Sequence, residues 1–192
     1  MPLAQKTEKK FTYADYVGWP DDERWELIDG EAYNMSPAPS VRHQKIVNNI
    51  NIFLSTHPKK KDECFVGIAP TDVVLSEYNV VQPDVFVVCD EKKITEANIQ
   101  GAPDLIVEVL SSGTAIKDKR EKKKLYEIYG VKEYIIIDPL LLYAERFLLG
   151  KDGLYGKADI VGSMEILPLA SMEDLKIPLW EVFEVLGPEK HK

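Results

Sequence analysis

The spacing of apolar side chains changes several times along the chain, and each change marks an element. Between residues 40 and 56, Val41, Ile46, Val47, Ile50, Phe53 and Leu54 recur at helical spacing, and His57-Pro58 ends the run. That stretch predicts an amphipathic helix. Residues 64–68, 71–75, 84–88 and 104–110 carry short β-branched runs bounded by Pro or Gly, which predicts four strands. A second helix is expected over 115–129, stopped by Gly130, and a buried strand over 133–138, halted by Pro139. Upstream, Thr12 suits the N-cap of a short helix through Tyr13, Tyr16 and Val17. Asp29-Gly30, set between the runs 24–28 and 32–36, signals a hairpin. At the tail, 143–149 and 154–160 fit further strands and 179–185 a short helix. Helix, strands, helix, strand predicts a mixed central sheet flanked by helices, in the α/β to α+β range, with additional C-terminal strands.

Composition narrows the class. With 192 residues, 45% hydrophobic and 29% charged, the chain has the make-up of one ordinary globular domain spanning 1–192, and no repeat or linker divides it. Its longest apolar runs, near 80–89 and 134–143, are interrupted and fall short of the roughly 18 residues a spanning helix needs. The N-terminus is charged with no apolar stretch behind it, so no secretory signal is expected and the predicted location is cytoplasmic. Cys64 and Cys89 stand 25 positions apart without a metal-ligand pattern, which predicts two buried thiols and neither a zinc site nor a disulfide framework.

A net charge of −8 and a pI near 5.0 exclude a protein that coats nucleic acid by bulk electrostatics. The charge is unevenly spread. Residues 117–124 hold six basic and two acidic side chains, a local +4 that leaves −12 for the rest. Within that strip Lys119, Arg120 and Lys123 are candidates for nucleic-acid contact; the plainer reading is a solvated helix face.

Acids inside apolar strands carry the candidate chemistry. Asp84 follows Pro83 at the mouth of Val85-Phe86-Val87-Val88, and Glu108 sits within Leu105-Ile106-Val107-Glu108-Val109-Leu110. Strand alternation puts Asp104, Ile106, Glu108 and Leu110 on one face. An unpaired charge among apolar neighbours is costly, so Glu108 is expected to meet a cation.

Pro83-Asp84 followed about two dozen residues later by Glu108-Val109-Leu110 resembles the PD-(D/E)XK nuclease superfamily, except that Leu110 stands where the motif has Lys. The continuation Asp118-x-x-x-Lys122-x-x-x-Tyr126, Gly130-Val131 and Glu133 to Pro139 is similar to a bacterial family of restriction-endonuclease-like proteins whose lysine has moved to the following helix. Glu26-Leu27-Ile28-Asp29-Gly30-Glu31, Met35-Ser36-Pro37 and His43 agree with it too. The resemblance implies a core over about 12–139, a C-terminal extension over 140–192, and a Mg²⁺-dependent DNA endonuclease, with Mn²⁺ as a substitute ion and a homodimer as one assembly. Asp84 and Glu108 would hold the metal with the backbone carbonyl of Val109, and Lys122 would assist. His43, Tyr126 and Asp104 are accessory candidates, and residues 111–114 at the helix entry offer N–H groups to a phosphate.

Each assignment has a plainer alternative. Asp84 could end a turn, and Glu108 could form a buried ion bridge with a helix lysine. Lys122 could pair with Asp118 on a helix surface, His43 could lie at the surface, Tyr126 could only pack, and Asp104 could only open a strand. At the level of function the rival is a nuclease-fold protein whose site has lapsed, acting as a binding or assembly module. RNA or branched nucleic acid is the other open substrate class.

Overall fold

The structure is a computed structural model, and it describes residues 10–20, 23–35, 38–57, 64–111, 113, 115–172 and 174–188. In chain order the elements begin with α1 (Tyr13–Tyr16), β1 (Trp25–Ile28), β2 (Glu31–Asn34), α2 (Val41–Ser55), β3 (Phe65–Ile68), β4 (Val73–Ser76), β5 (Asn79–Val81) and β6 (Val85–Val88). Next come β7 (Ile99–Gln100), β8 (Leu105–Val109), α3 (Ala115–Lys117), a π-helical turn (Asp118–Lys122), α4 (Lys123–Tyr129), β9 (Glu133–Asp138) and β10 (Tyr143–Leu148). The chain ends through β11 (Asp159–Gly162), β12 (Ile166–Pro168), β13 (Lys176–Pro178) and α5 (Leu179–Val182).

A six-stranded sheet, ordered β11-β10-β9-β8-β6-β3, forms the centre. It is mixed, as predicted, because β8 runs parallel to β9 while the other pairs are antiparallel. Alternation along its strands feeds two apolar cores. Val85, Val87, Leu105, Val107 and Val109 pack with Ile46, Val47, Ile50 and Leu54 of α2 and with Leu179 and Val182 of α5. Phe86, Val88, Ile106, Leu110 and Ile136 face the other way, onto Leu125 and Tyr126 of α4 and onto Val73, Val81 and Ile99. These last three belong to a second, five-stranded sheet, β2-β1-β5-β4-β7, which the sequence pattern did not separate from the first.

Local chemistry explains the ends of the elements. Thr12 and Asp15 form a reciprocal capping box on α1. Ser40 accepts the His43 N–H at the start of α2. Asp29 and Gly30 both have positive φ, 52° and 78°, which a two-residue turn joining β1 to β2 needs. Gly130 takes the left-handed conformation that ends α4.

Two expectations are corrected. The strand expected at 154–160 begins only at Asp159, because Gly150 and Gly153 fold the preceding residues into a turn closed by hydrogen bonds to Leu154 and Gly150 carbonyls. Cys64 and Cys89 are not free thiols. They form a disulfide at the pair just beyond Phe65↔Val88, where antiparallel β3 and β6 hold the two residues opposite each other; separation in sequence says nothing of such register. No helix among the described residues is long and apolar enough to cross a membrane.

Candidate active site

The antiparallel register Val85↔Val107 sets Asp84 beside Glu108 at one end of the central sheet. Asp84 Oδ2 accepts the Val109 N–H at 2.8 Å and lies 3.2 Å from His43 Nε2. The first turn of α2 delivers that imidazole, which is buried. Burial pushes the His43 pKa down, but the Asp84 carboxylate and the Val109 backbone outweigh it and hold the group above its ordinary value.

Glu108, on the face of β8 that Ile106 and Leu110 share, is buried among charged side chains. Its Oε1 accepts from Lys122 Nζ at 2.9 Å and from the Tyr126 hydroxyl at 2.7 Å. Lys122 Nζ is also 2.7 Å from Glu26 Oε1 and 3.7 Å from Asp118 Oδ1. Glu26, with no exposed surface, takes Lys117 Nζ on Oε2 at 2.9 Å and the Gln82 N–H on Oε1 at 3.1 Å. Burial raises the Glu108 pKa, and although Lys122 opposes this, the nearby Asp118, Asp84 and Glu26 carboxylates add to the rise. Glu26 goes the opposite way: burial raises it, but Lys122 and Lys117 hold it below the usual range. Lys122, despite burial, is kept well above its ordinary value by Glu108, Glu26 and Asp118.

The helix delivers two lysines through an irregularity. In a regular α-helix, side chains five apart point about 140° apart, yet Lys117 and Lys122 both bond Glu26. The π-helical turn Asp118–Lys122 lies between them, with bonds of i→i+5 spacing that bring such residues toward one face. The Tyr134 hydroxyl supports the turn by donating to the Asp118 carbonyl at 3.1 Å.

The structure therefore gathers Asp84, Glu108, Val109, His43, Lys122 and Tyr126, as the sequence reading grouped them. Lys122 and Asp118 are buried, so theirs is no surface pair. Asp104 is elsewhere: it accepts the Cys89 N–H and pairs with Lys132 at 2.6 Å, at the opposite end of β8. The basic strip turns mostly inward. Lys119 bonds Glu145 and Tyr143, and Lys123 lies 4.0 Å from the centre of the Phe147 ring; Arg120 remains 74% exposed. Of the proposed anion site, Ser112 and Thr114 lie outside the described residues, as do Ser36 and Pro37. Glu26 is the residue sequence reasoning missed, although its setting, an acid between Trp25 and Leu27-Ile28, is the same signal that singled out Glu108.

Among the described residues no three His, Cys, Asp or Glu side chains are arranged to hold a metal ion. A cation here would take Asp84, Glu108 and the Val109 carbonyl, an all-oxygen set of the kind Mg²⁺ completes with its own waters. The crowd of carboxylates fits that ion: the like charges that raise Glu108 are those a divalent cation would relieve.

Residues 13–179 match the Uma2 family, described as "Putative restriction endonuclease". Two Synechocystis proteins are similar: uncharacterized protein sll1609, 32% identical over 73% of this chain and 82% of its own length, and uncharacterized protein slr1290, 26% identical over 75% and 77%. Among solved structures, one described as a "putative nuclease belonging to DUF820" from Anabaena variabilis superposes with a TM-score of 0.75 at 15% identity, over 91% of this chain and 98% of that one, a likeness of fold. On the family match and the shared fold together, the chain belongs to the Uma2 family and carries its restriction-endonuclease-like architecture.

Proposed function

We propose that this protein is a Mg²⁺-dependent DNA endonuclease. The observation that carries the reading is the convergence of Asp84, Glu108 and Lys122: two carboxylates at the same end of one strand pair, with Lys122 of the following helical segment bonded to the deeper acid. Asp84, Glu108 and the Val109 carbonyl would hold the ion. When bound, a divalent ion serves phosphodiester hydrolysis as Lewis acid and by lowering the pKa of a water. The chain's own groups do the rest. His43 and the Val109 N–H fix the Asp84 carboxylate, Tyr126 orients Glu108, and Lys122 supplies the positive charge that orients a water or steadies the phosphate.

One observation favours the rival, a lapsed site in a binding module: Lys119 and Lys123 turn to Glu145 and Phe147, leaving little free positive charge for a polyanion on a chain of net charge −8. Incubation with plasmid, linear, single-stranded and branched DNA, and with RNA, in Mg²⁺ or Mn²⁺ separates the two. The endonuclease reading expects cleavage by the wild type, none by Glu108→Gln, and a loss of about 10–100-fold for His43→Ala, the size typical of removing a ligand's supporting partner. Intact substrates throughout, with a folded wild type, favour the module.

A further inference from the structure

Lys122 has two seats. Its ammonium stands 2.7 Å from Glu26 Oε1 and 2.9 Å from Glu108 Oε1, with Asp118 Oδ1 farther off at 3.7 Å. The two nearer carboxylates differ in what else they serve. Glu108 lies next to Asp84 across the strand pair, on the side where a metal would sit. Glu26 is enclosed completely on β1, belongs to the other sheet, and is fixed by Lys117 and the Gln82 N–H. A lysine stem is long and its three donors rotate freely, so the ammonium can weaken one bond while keeping the other. Lys117 and Lys122 take different oxygens of Glu26, whereas an ion seeking Glu108 Oε1 meets the ammonium already bonded to that oxygen, and like charges so close repel strongly in a low-dielectric interior.

Resting on the reading of Asp84 and Glu108 as metal ligands, we propose that Lys122 is the stand-in cation of the metal-free site. When a divalent ion takes Glu108, the lysine withdraws to Glu26. Glu26 is then a positioning residue: it keeps the displaced ammonium inside the site, beside the ion, instead of leaving it to compete for Glu108. The migrated lysine and the buried β1 acid thus form one device, and the π-helical turn that lets Lys117 and Lys122 share Glu26 is what builds it.

The test is a calorimetric Mn²⁺ titration of the wild type, Lys122→Met, Glu26→Gln and the double variant. Removing the competing cation should tighten Mn²⁺ roughly tenfold. Removing the second seat should weaken it about fivefold or more, and this penalty should fall to within about twofold when Lys122 is already Met, a coupling of the size seen between contacting residues. If Glu26→Gln weakens Mn²⁺ equally in both backgrounds, Glu26 acts only by its charge and the proposal fails. Lys122→Met binding no more tightly than the wild type overturns it as well, while leaving the metal site itself intact. A wild type that binds no Mn²⁺ removes the metal reading and this inference with it. Crystal structures of the wild type with and without Mn²⁺ decide the matter even if a variant does not fold. The proposal requires the Lys122–Glu108 bond to open and the Lys122–Glu26 bond to persist. A lysine still bonded to Glu108 beside a bound ion overturns it.

Discussion

Asp104 stands just before β8 and Glu108 within it, four residues apart, and their surroundings give them different work. Glu108 is walled in by other acids and by Lys122. Asp104 meets a backbone N–H and the exposed ammonium of Lys132. Burial pushes Asp104 up, but the Lys132 and Cys89 hydrogen bonds outweigh it and leave its pKa below the ordinary carboxyl value. A carboxyl depressed on folding contributes stability that is present above its unfolded pKa, near 3.9, and is lost as pH falls through the lower folded value. Urea midpoints measured from pH 6 downward should therefore show a steeper acid loss for the wild type than for Asp104→Asn; parallel curves would contradict this role. The alternation that paired Asp104 with Glu108 in sequence is silent about position along the chain: Asp104 lies before the strand begins, at the end far from Asp84, so one acid joined the site and the other did not.

Elements were legible in proportion to the regularity of their pattern. The helix α2, the hairpin β1–β2 and the strand β9 follow from periodicity, a turn dipeptide and a flanking proline, all local signals. β5, β7, β12 and β13, of two or three residues each, exist through pairing with other strands and leave almost no pattern of their own. The π-helical turn is equally silent, because nothing in the sequence says that Lys117 and Lys122, five apart, reach one partner. Pairing also gives some residues demands that sequence hides. Gly67 lies opposite Phe86, and a Cβ there would come within 2.2 Å of the buried phenyl ring. Gly67→Ala should destabilise the fold by about 1–3 kcal/mol, as overpacking of a filled core does, read from the urea midpoint; a variant as stable as the wild type would mean that Phe86 is free to move.

At the scale of the whole molecule, two sheets whose strands alternate along the chain meet around one cluster of charge. β1 brings Glu26, the central sheet brings Asp84 and Glu108, α2 brings His43, and the helical segment after β8 brings Lys122 and Tyr126. The carboxylate pair was legible because acids inside apolar strands break a strong pattern, and the lysine through the family resemblance alone. The partners of Glu26 and the inward turn of the basic strip were not, since both depend on which surfaces the second sheet and β10 cover. The central claim, that Asp84 and Glu108 form a cation site, is tested most directly by calorimetric titration of Mn²⁺ into the wild type and Asp84→Ala, which needs no knowledge of the substrate. The account predicts saturable binding to the wild type that is lost in a folded Asp84→Ala. Equal binding to both proteins, or binding to neither, would contradict it.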